Sequence, residues 1–305
     1  MATYKEIHGV KVQYRESDAT AIEGDVWYNS STGLLKMYSA VGALATGGNL
    51  NTGRVSSAPS QNGTQTAALC ATGGSTVDVE QYNGITWTEI ANVNTARQGG
   101  GGSGTTTAAL AVGGNGPVLI VEEWDASSWT EVGDLNSAPA ETTRAAGTAT
   151  AAIRVGGYPV VGYTEIWNGT SWTETTDLNT ARAAGAATGT STAANFAGGG
   201  YPAKTNVEQW NGSSWTEIAD ITARTDMAGA GTQDLTLVMG ISAPDGGCEF
   251  WDGSSWSDVA DMATPRIGHS GCGTSSSALT FGGSPAMANT EEFSYAATIQ
   301  TVAFD

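Results

Sequence analysis

Basic residues are scarce in this 305-residue chain: 12 Lys and Arg stand against 30 Asp and Glu, a formal net charge of -18. With a pI ≈ 4.2, such a protein repels phosphates and anionic headgroups, so no nucleic-acid partner is expected. Histidine occurs twice, as His8 and His269, too few for a multi-histidine metal site, and His269 reads as a strand residue rather than a general base. The three cysteines, Cys70, Cys248 and Cys272, fall in different segments and cannot all pair. They are expected to be small buried apolar residues rather than a disulfide framework. No run of about 20 apolar residues is present, so no membrane insertion is expected. The first 18 residues, MATYKEIHGVKVQYRESD, lack an apolar signal-type core, and synthesis in a cytosol is expected. Charged residues make up only 14% of the chain, and helix formers are few, so helix is not expected.

Glycine and tryptophan are plentiful instead, at 42 and 10 residues, and they recur with a period. Trp87, Trp129, Trp172, Trp215 and Trp256 are spaced by 42, 43, 43 and 41 residues. Five residues before each stands another aromatic, in the series Tyr82, Trp124, Trp167, Trp210 and Trp251, which Phe293 continues. Apolar runs ending in glycine recur as AALCATGG (67–74), AALAVGG (108–114), AAIRVGG (151–157), AANFAGGG (193–200), LTLVMGI (235–241) and ALTFGG (278–283). An arginine opens each small-residue segment at Arg54, Arg97, Arg182, Arg224 and Arg266. In the third unit Pro139 takes that place and Arg144 follows five residues later.

Each unit therefore predicts four antiparallel strands: a small-residue strand, an apolar strand, a strand ending in an aromatic, and a Trp-led strand after a short Asn/Asp-Gly turn. One such meander cannot bury both faces, so a period of about 42 residues predicts an all-β propeller. Six blades fit between residues 54 and 305, with a seventh if both chain ends and the 26–38 hairpin join the sheets. Either residues 42–48 or TIQTVAFD (298–305) closes the last blade. The paired aromatics are assigned to packing between blades.

The order of arginine, small strand, Gly-Gly, aromatic and Trp resembles the kelch repeat, best in MATPRIGHSGCGTSSSALTFGG (262–283). The resemblance spans about residues 43–305 and implies a propeller that serves as a binding scaffold or as an oxidase. A copper oxidase of that kind needs His ligands with Cys and Tyr, which two histidines cannot supply. EGDVWYNSSTGLLKMYSA (23–40) resembles the N-terminal module of tailed-phage virion appendage and tail proteins of the marine and cyanophage type. That second resemblance implies a docking arm.

Six carboxylates, Glu80, Glu122, Glu165, Glu208, Glu249 and Glu291, sit two residues before the aromatics. A hydrolase needs one asymmetric acid pair, whereas these repeat in every unit. They are read as inter-unit ion pairs or hydrogen bonds with the repeated arginines. A ring of arginines binding an anion at the axis is the alternative. GGGG at 99–102 lacks the Lys and helix of a phosphate loop and is read as a tightly packed inner strand. No catalytic residue, metal ligand or cofactor is assigned.

The expectation is thus a docking arm over 1–41 and a kelch-like propeller over 42–305. The whole is expected to be a non-enzymatic virion structural protein on tail or capsid, assembled in the host cytoplasm. Its arm would meet other virion proteins, and loops around Val118, Tyr158, Tyr163, Tyr201, Lys204 and Asp245 would meet a host-surface glycan or protein. Nothing in the sequence counts copies, and a homo-oligomer is compatible with it. A cellular kelch-type adaptor and a carbohydrate-active propeller enzyme are the competing readings.

Overall fold

The repeated pattern of short β-prone runs separated by Gly-containing turns folds into strands only. The computed structural model describes residues 13–17, 25–115, 119–137, 142–240 and 246–301, with no helix among them. The chain divides into two compact units: residues 1–42 with 295–305, and residues 43–294.

The larger unit is a β-propeller with six blades among the described residues. Blade 4 shows the pattern: Ala186–Gly189, Ala194–Ala197, Val207–Trp210 and Trp215–Ile218 pair antiparallel in chain order. The innermost strands of blades 1 to 6 are Ala58–Pro59, Gly101–Gly104, Arg144–Gly147, Ala186–Gly189, Ala228–Gly231 and Ser270–Thr274. Each neighbours the next and the last returns to the first, so the ring is closed. In blade 6 the fourth place beside Thr290–Thr301 is filled by Leu34–Thr46, whose end from residue 43 lies in the propeller. The N-terminal side therefore closes the ring. Residues from 295 onward group with the smaller unit, so the propeller ends earlier than the 305 expected from the repeats.

Inner strands crowd around the axis, which explains their Gly, Ala and Ser. A Cβ on Gly102 would lie 2.1 Å from the Pro59 carbonyl oxygen of blade 1, a distance no side chain tolerates. The Gly-Gly ends have a related reason. Gly283 has φ +124°, and a Cβ there would stand 2.9 Å from Arg266 Cδ, so bare backbone makes room for the arginine stem.

The core lies between blades. Leu69 and Val79 of blade 1 meet Trp124 and Trp129 of blade 2, and Ile153 and Val155 of blade 3 meet Trp210 and Trp215 of blade 4. In each hairpin the two aromatics are cross-strand partners with ring centroids 5.0–5.5 Å apart. Such tilted pairs add about 0.5–1.5 kcal/mol to what their burial contributes. At the closing seam Trp87 of blade 1 meets Phe281 of blade 6 edge-on at 4.8 Å, Trp87 Nε1 donates to Thr290 Oγ1 at 3.0 Å and Tyr82 OH to Glu292 Oε1 at 2.6 Å. Phe293 is fully buried. Trp256 departs from its series, being only half-buried where its four counterparts are at most 6% exposed.

In the smaller unit, Val26–Asn29 and the start of Leu34–Thr46 form a hairpin, and Gln13–Arg15 adds in parallel. Trp27 is fully buried beneath the Arg15 guanidinium, 5.1 Å away, and Arg15 pairs with Asp25 at 2.9 Å.

Candidate functional site

The repeated charges are consumed inside the blades. Arg54–Glu80, Arg97–Glu122 at 2.7 Å, Arg182–Glu208 at 2.9 Å, Arg224–Glu249 at 2.9 Å and Arg266–Glu291 at 2.8 Å are all buried pairs. Each arginine meets the carboxylate of its own blade, which corrects the inter-unit pairing expected from the sequence. The physical role of the carboxylate is to pin the connection that enters its blade. Glu122, for example, accepts from the backbone N–H of Asn94 at 2.7 Å and of Thr95 at 3.2 Å as well as from Arg97.

Blade 3 keeps the pair by another route. Arg154, one strand over and in direct cross-strand register with Glu165, places Nη1 3.7 Å from Glu165 Oε1. Its counterparts opposite the other glutamates are Cys70, Ala111, Phe196, Val238 and Thr280. Arg154 also lies 6.0 Å over the ring of Tyr163. Tyr163, expected on a display loop, lies in the strand Val161–Trp167 and is half-buried.

With Glu165 served by Arg154, Arg144 is released to the axis. It begins the inner strand of blade 3, and its Nη1 donates to the Thr143 carbonyl at 3.1 Å. Burial lowers its basicity, while nearby Asp226 and Tyr201 support the charged form. Around it runs a ring of left-handed residues, one per blade: Ser56, Gly99, Thr142, Ala184, Asp226 and Gly268, with φ of 51–76°. Such φ values are costly for Ser, Thr, Ala and Asp, roughly 1–3 kcal/mol each. The ring is held by backbone hydrogen bonds between successive blades: Gly99 to Ser56 at 2.9 Å, Ala184 to Thr142 at 3.1 Å, Asp226 to Ala184 at 2.8 Å, Gly268 to Asp226 at 2.7 Å and Ser56 to Gly268 at 2.7 Å.

Below this mouth the axial space measures only ≈ 20 Å³, enough for about one water. It is lined by Gln61, Gly101, Arg144, His269 and Ser270 among others. No arginine ring faces it. His269 is buried, its Nδ1 2.6 Å from Thr280 Oγ1, and burial followed by the charges of Arg266 and Arg144 holds its pKa well below 6.5. Among the described residues no three His, Cys, Asp or Glu side chains converge to hold a metal.

Among the described residues, segments after the Gly-Gly ends start beside this ring: the N–H groups of Gly74, Asn115, Gly200 and Ser284 donate to the carbonyls of Val55, Gln98, Ala183 and Ile267. Tyr201 OH donates to Asp226 Oδ2 on the ring of the next blade, and burial with that bond raises the phenol to about 12. Tyr158, Val160 and Tyr201 are 49%, 41% and 51% exposed. Lys204 is half-buried, its N–H bonded to the Gly199 carbonyl at 2.8 Å. Val118 and Asp245 lie outside the described residues. Sequence reasoning missed Asp226, although it alone is acidic among the six ring positions.

Fold and site together define a β-propeller whose repeated chemistry is internal and whose singular groups gather at one axial mouth. A solved structure described as "Structure of YjhT" is similar, with TM-score 0.66 and 11% identity, covering 83% of this chain and 99% of that one. At that identity the likeness concerns the fold alone, and 382 chains of solved structures match, which marks a scaffold shared by many proteins. No protein-family model and no curated protein matches the chain.

Proposed function

We propose that the chain is a non-enzymatic display scaffold, a virion structural protein of tail or capsid type with kelch-like repeats. Residues of the smaller unit anchor it to neighbouring virion proteins, and the loops at the axial mouth contact a host-surface glycan or protein. The observation that carries this reading is the separation of constant from variable chemistry. Acids and arginines shared by the repeats are buried in pairs within the blades, while the exposed aromatics Tyr158 and Tyr201 stand on the loops that differ between copies. Exposed tyrosines offer large rigid contact area at low entropic cost.

The test is adsorption. Particles carrying Tyr158→Ala with Tyr201→Ala should bind host cells at least tenfold more weakly while assembling normally. Unchanged adsorption overturns the recognition reading, and glycan turnover by the purified protein would favour the carbohydrate-active alternative.

A further inference from the structure

Two blades lack a side chain that four others use: in blade 6 Ala263 stands in its place, and in blade 5 its loss leaves a recess. Asn51, Asn94, Asn136 and Asn179 each donate Nδ2 to the Oε2 of the next glutamate at 2.8–3.0 Å. The same Nδ2 reaches the carbonyl oxygen of Trp87, Trp129, Trp172 or Trp215 at 2.7–3.1 Å. The niche between a buried carboxylate and a tryptophan carbonyl thus takes an –NH₂ group four times over.

In blade 5 this asparagine is deleted. Leu178 N donates to Gly162 O at 2.9 Å and Ile221 N to Thr205 O at 3.0 Å, so Ile221 occupies the place of Leu178, yet Thr222 follows directly where Asn179 and Thr180 follow Leu178. This deletion accounts for one of the two residues by which the Trp215-to-Trp256 spacing of 41 falls short of 43. Glu249 now accepts from Thr222 N at 3.1 and 3.3 Å and from Arg224. It has lost both asparagine donors. A recess of ≈ 180 Å³ opens at the site, lined by Glu249, Trp256, Asp220, Asp258, Thr222 and Ile221 among others. Trp256 becomes half-exposed along its wall.

We infer that this recess is a binding site for a primary ammonium group. The acceptor pair that holds an amide –NH₂ in the sister blades, Glu249 and the Trp256 carbonyl, is present, and no asparagine amide stands between them. With Arg224 balancing Glu249, Asp220 and Asp258 leave the lining negative, which selects a cation over a neutral amide. The indole of Trp256 supplies an aromatic surface beside it.

The probe is n-propylammonium, titrated into ¹⁵N-labelled protein while the ten tryptophan indole N–H signals are followed, with Trp256→Phe assigning the relevant one. The Trp256 signal should move and saturate, and it should stay still with 1-propanol or with propyltrimethylammonium, which lacks N–H donors. Inserting Asn between Ile221 and Thr222 should abolish the shift, and Asp258→Asn, at an exposed position, should weaken binding several-fold without affecting the fold. Equal shifts from propyltrimethylammonium, or an unchanged shift in the folded insertion variant or in Asp258→Asn, would overturn the assignment. None of these outcomes depends on whether the axial mouth binds a host surface.

Discussion

Removing one charge from a blade should cost far more than removing its exposed neighbour. Glu208 is the sharpest case. Its carboxylate is 1% exposed and accepts from Asn179 N at 2.8 Å, Asn179 Nδ2 at 2.8 Å, Thr180 N at 3.2 Å and Arg182 Nη1 at 2.9 Å. Glu208→Gln keeps the shape, replaces one acceptor by a donor facing N–H groups, and leaves the buried Arg182 uncompensated. Breaking a buried pair in this way costs about 3–5 kcal/mol. For a domain of this size each kcal/mol lowers Tm by roughly 2–4 °C, so the fall should be roughly 6–20 °C. Glu217 is the direct cross-strand partner of Glu208 but exposed, and Glu217→Gln should stay within about 0.5 kcal/mol. Arg182→Met with Glu208→Gln should cost less than the sum of the singles, by about 0.5–3 kcal/mol of coupling. Urea unfolding followed by near-ultraviolet circular dichroism reads the three single variants and the double variant against the parent protein. If Glu208→Gln and Glu217→Gln cost the same, the carboxylates do not pin the blade connections and the reasoning fails.

Acidification should weaken the fold through His269. Its folded pKa lies well below 6.5 because of burial, so the unfolded chain binds the extra proton, and the stabilisation is full above about pH 6.5 and lost as pH falls below it. The His269 contribution to the slope between pH 6 and 5 should approach 1.4 kcal/mol per pH unit, and His269→Gln should remove it. A pH dependence identical in the two proteins would refute this. Burial raises Cys70 to about 11 and Cys248 and Cys272 to about 12, so an iodoacetamide reaction at pH 8 should label none of them until denaturant is added. Gly102→Ala should destabilise by at least about 1–3 kcal/mol because the new methyl meets the blade 1 backbone; neutrality there would mean the inner strands are looser than their spacing indicates.

The repeat was legible because the aromatic hairpin that packs between blades recurs in five of the six, so the tryptophans mark the period directly. The Arg and Glu series were legible as residue types, but their pairing within a blade was not. Linear spacing does not reveal that residue 97 crosses over residue 122. Blade 3 hid its solution further: Arg154 and Glu165 are neighbours only once the hairpin register is known, and Arg144 then reads as a displaced copy rather than an axial residue. The left-handed ring was advertised by Gly99 and Gly268 alone. Ser56, Thr142, Ala184 and Asp226 take the same conformation because the ring of inter-blade hydrogen bonds imposes it, a tertiary effect that overrides local preference. The closing strand was open between two candidates because both chain ends carry short β-prone runs.

The most direct test of display by the axial mouth is electron cryo-microscopy of the assembly that carries this chain, at side-chain resolution. The account predicts density from neighbouring proteins against residues 13–17 and 25–37, with Tyr158 and Tyr201 uncovered. Neighbouring proteins seated over Tyr158 and Tyr201, with those N-terminal residues touching none, would contradict it.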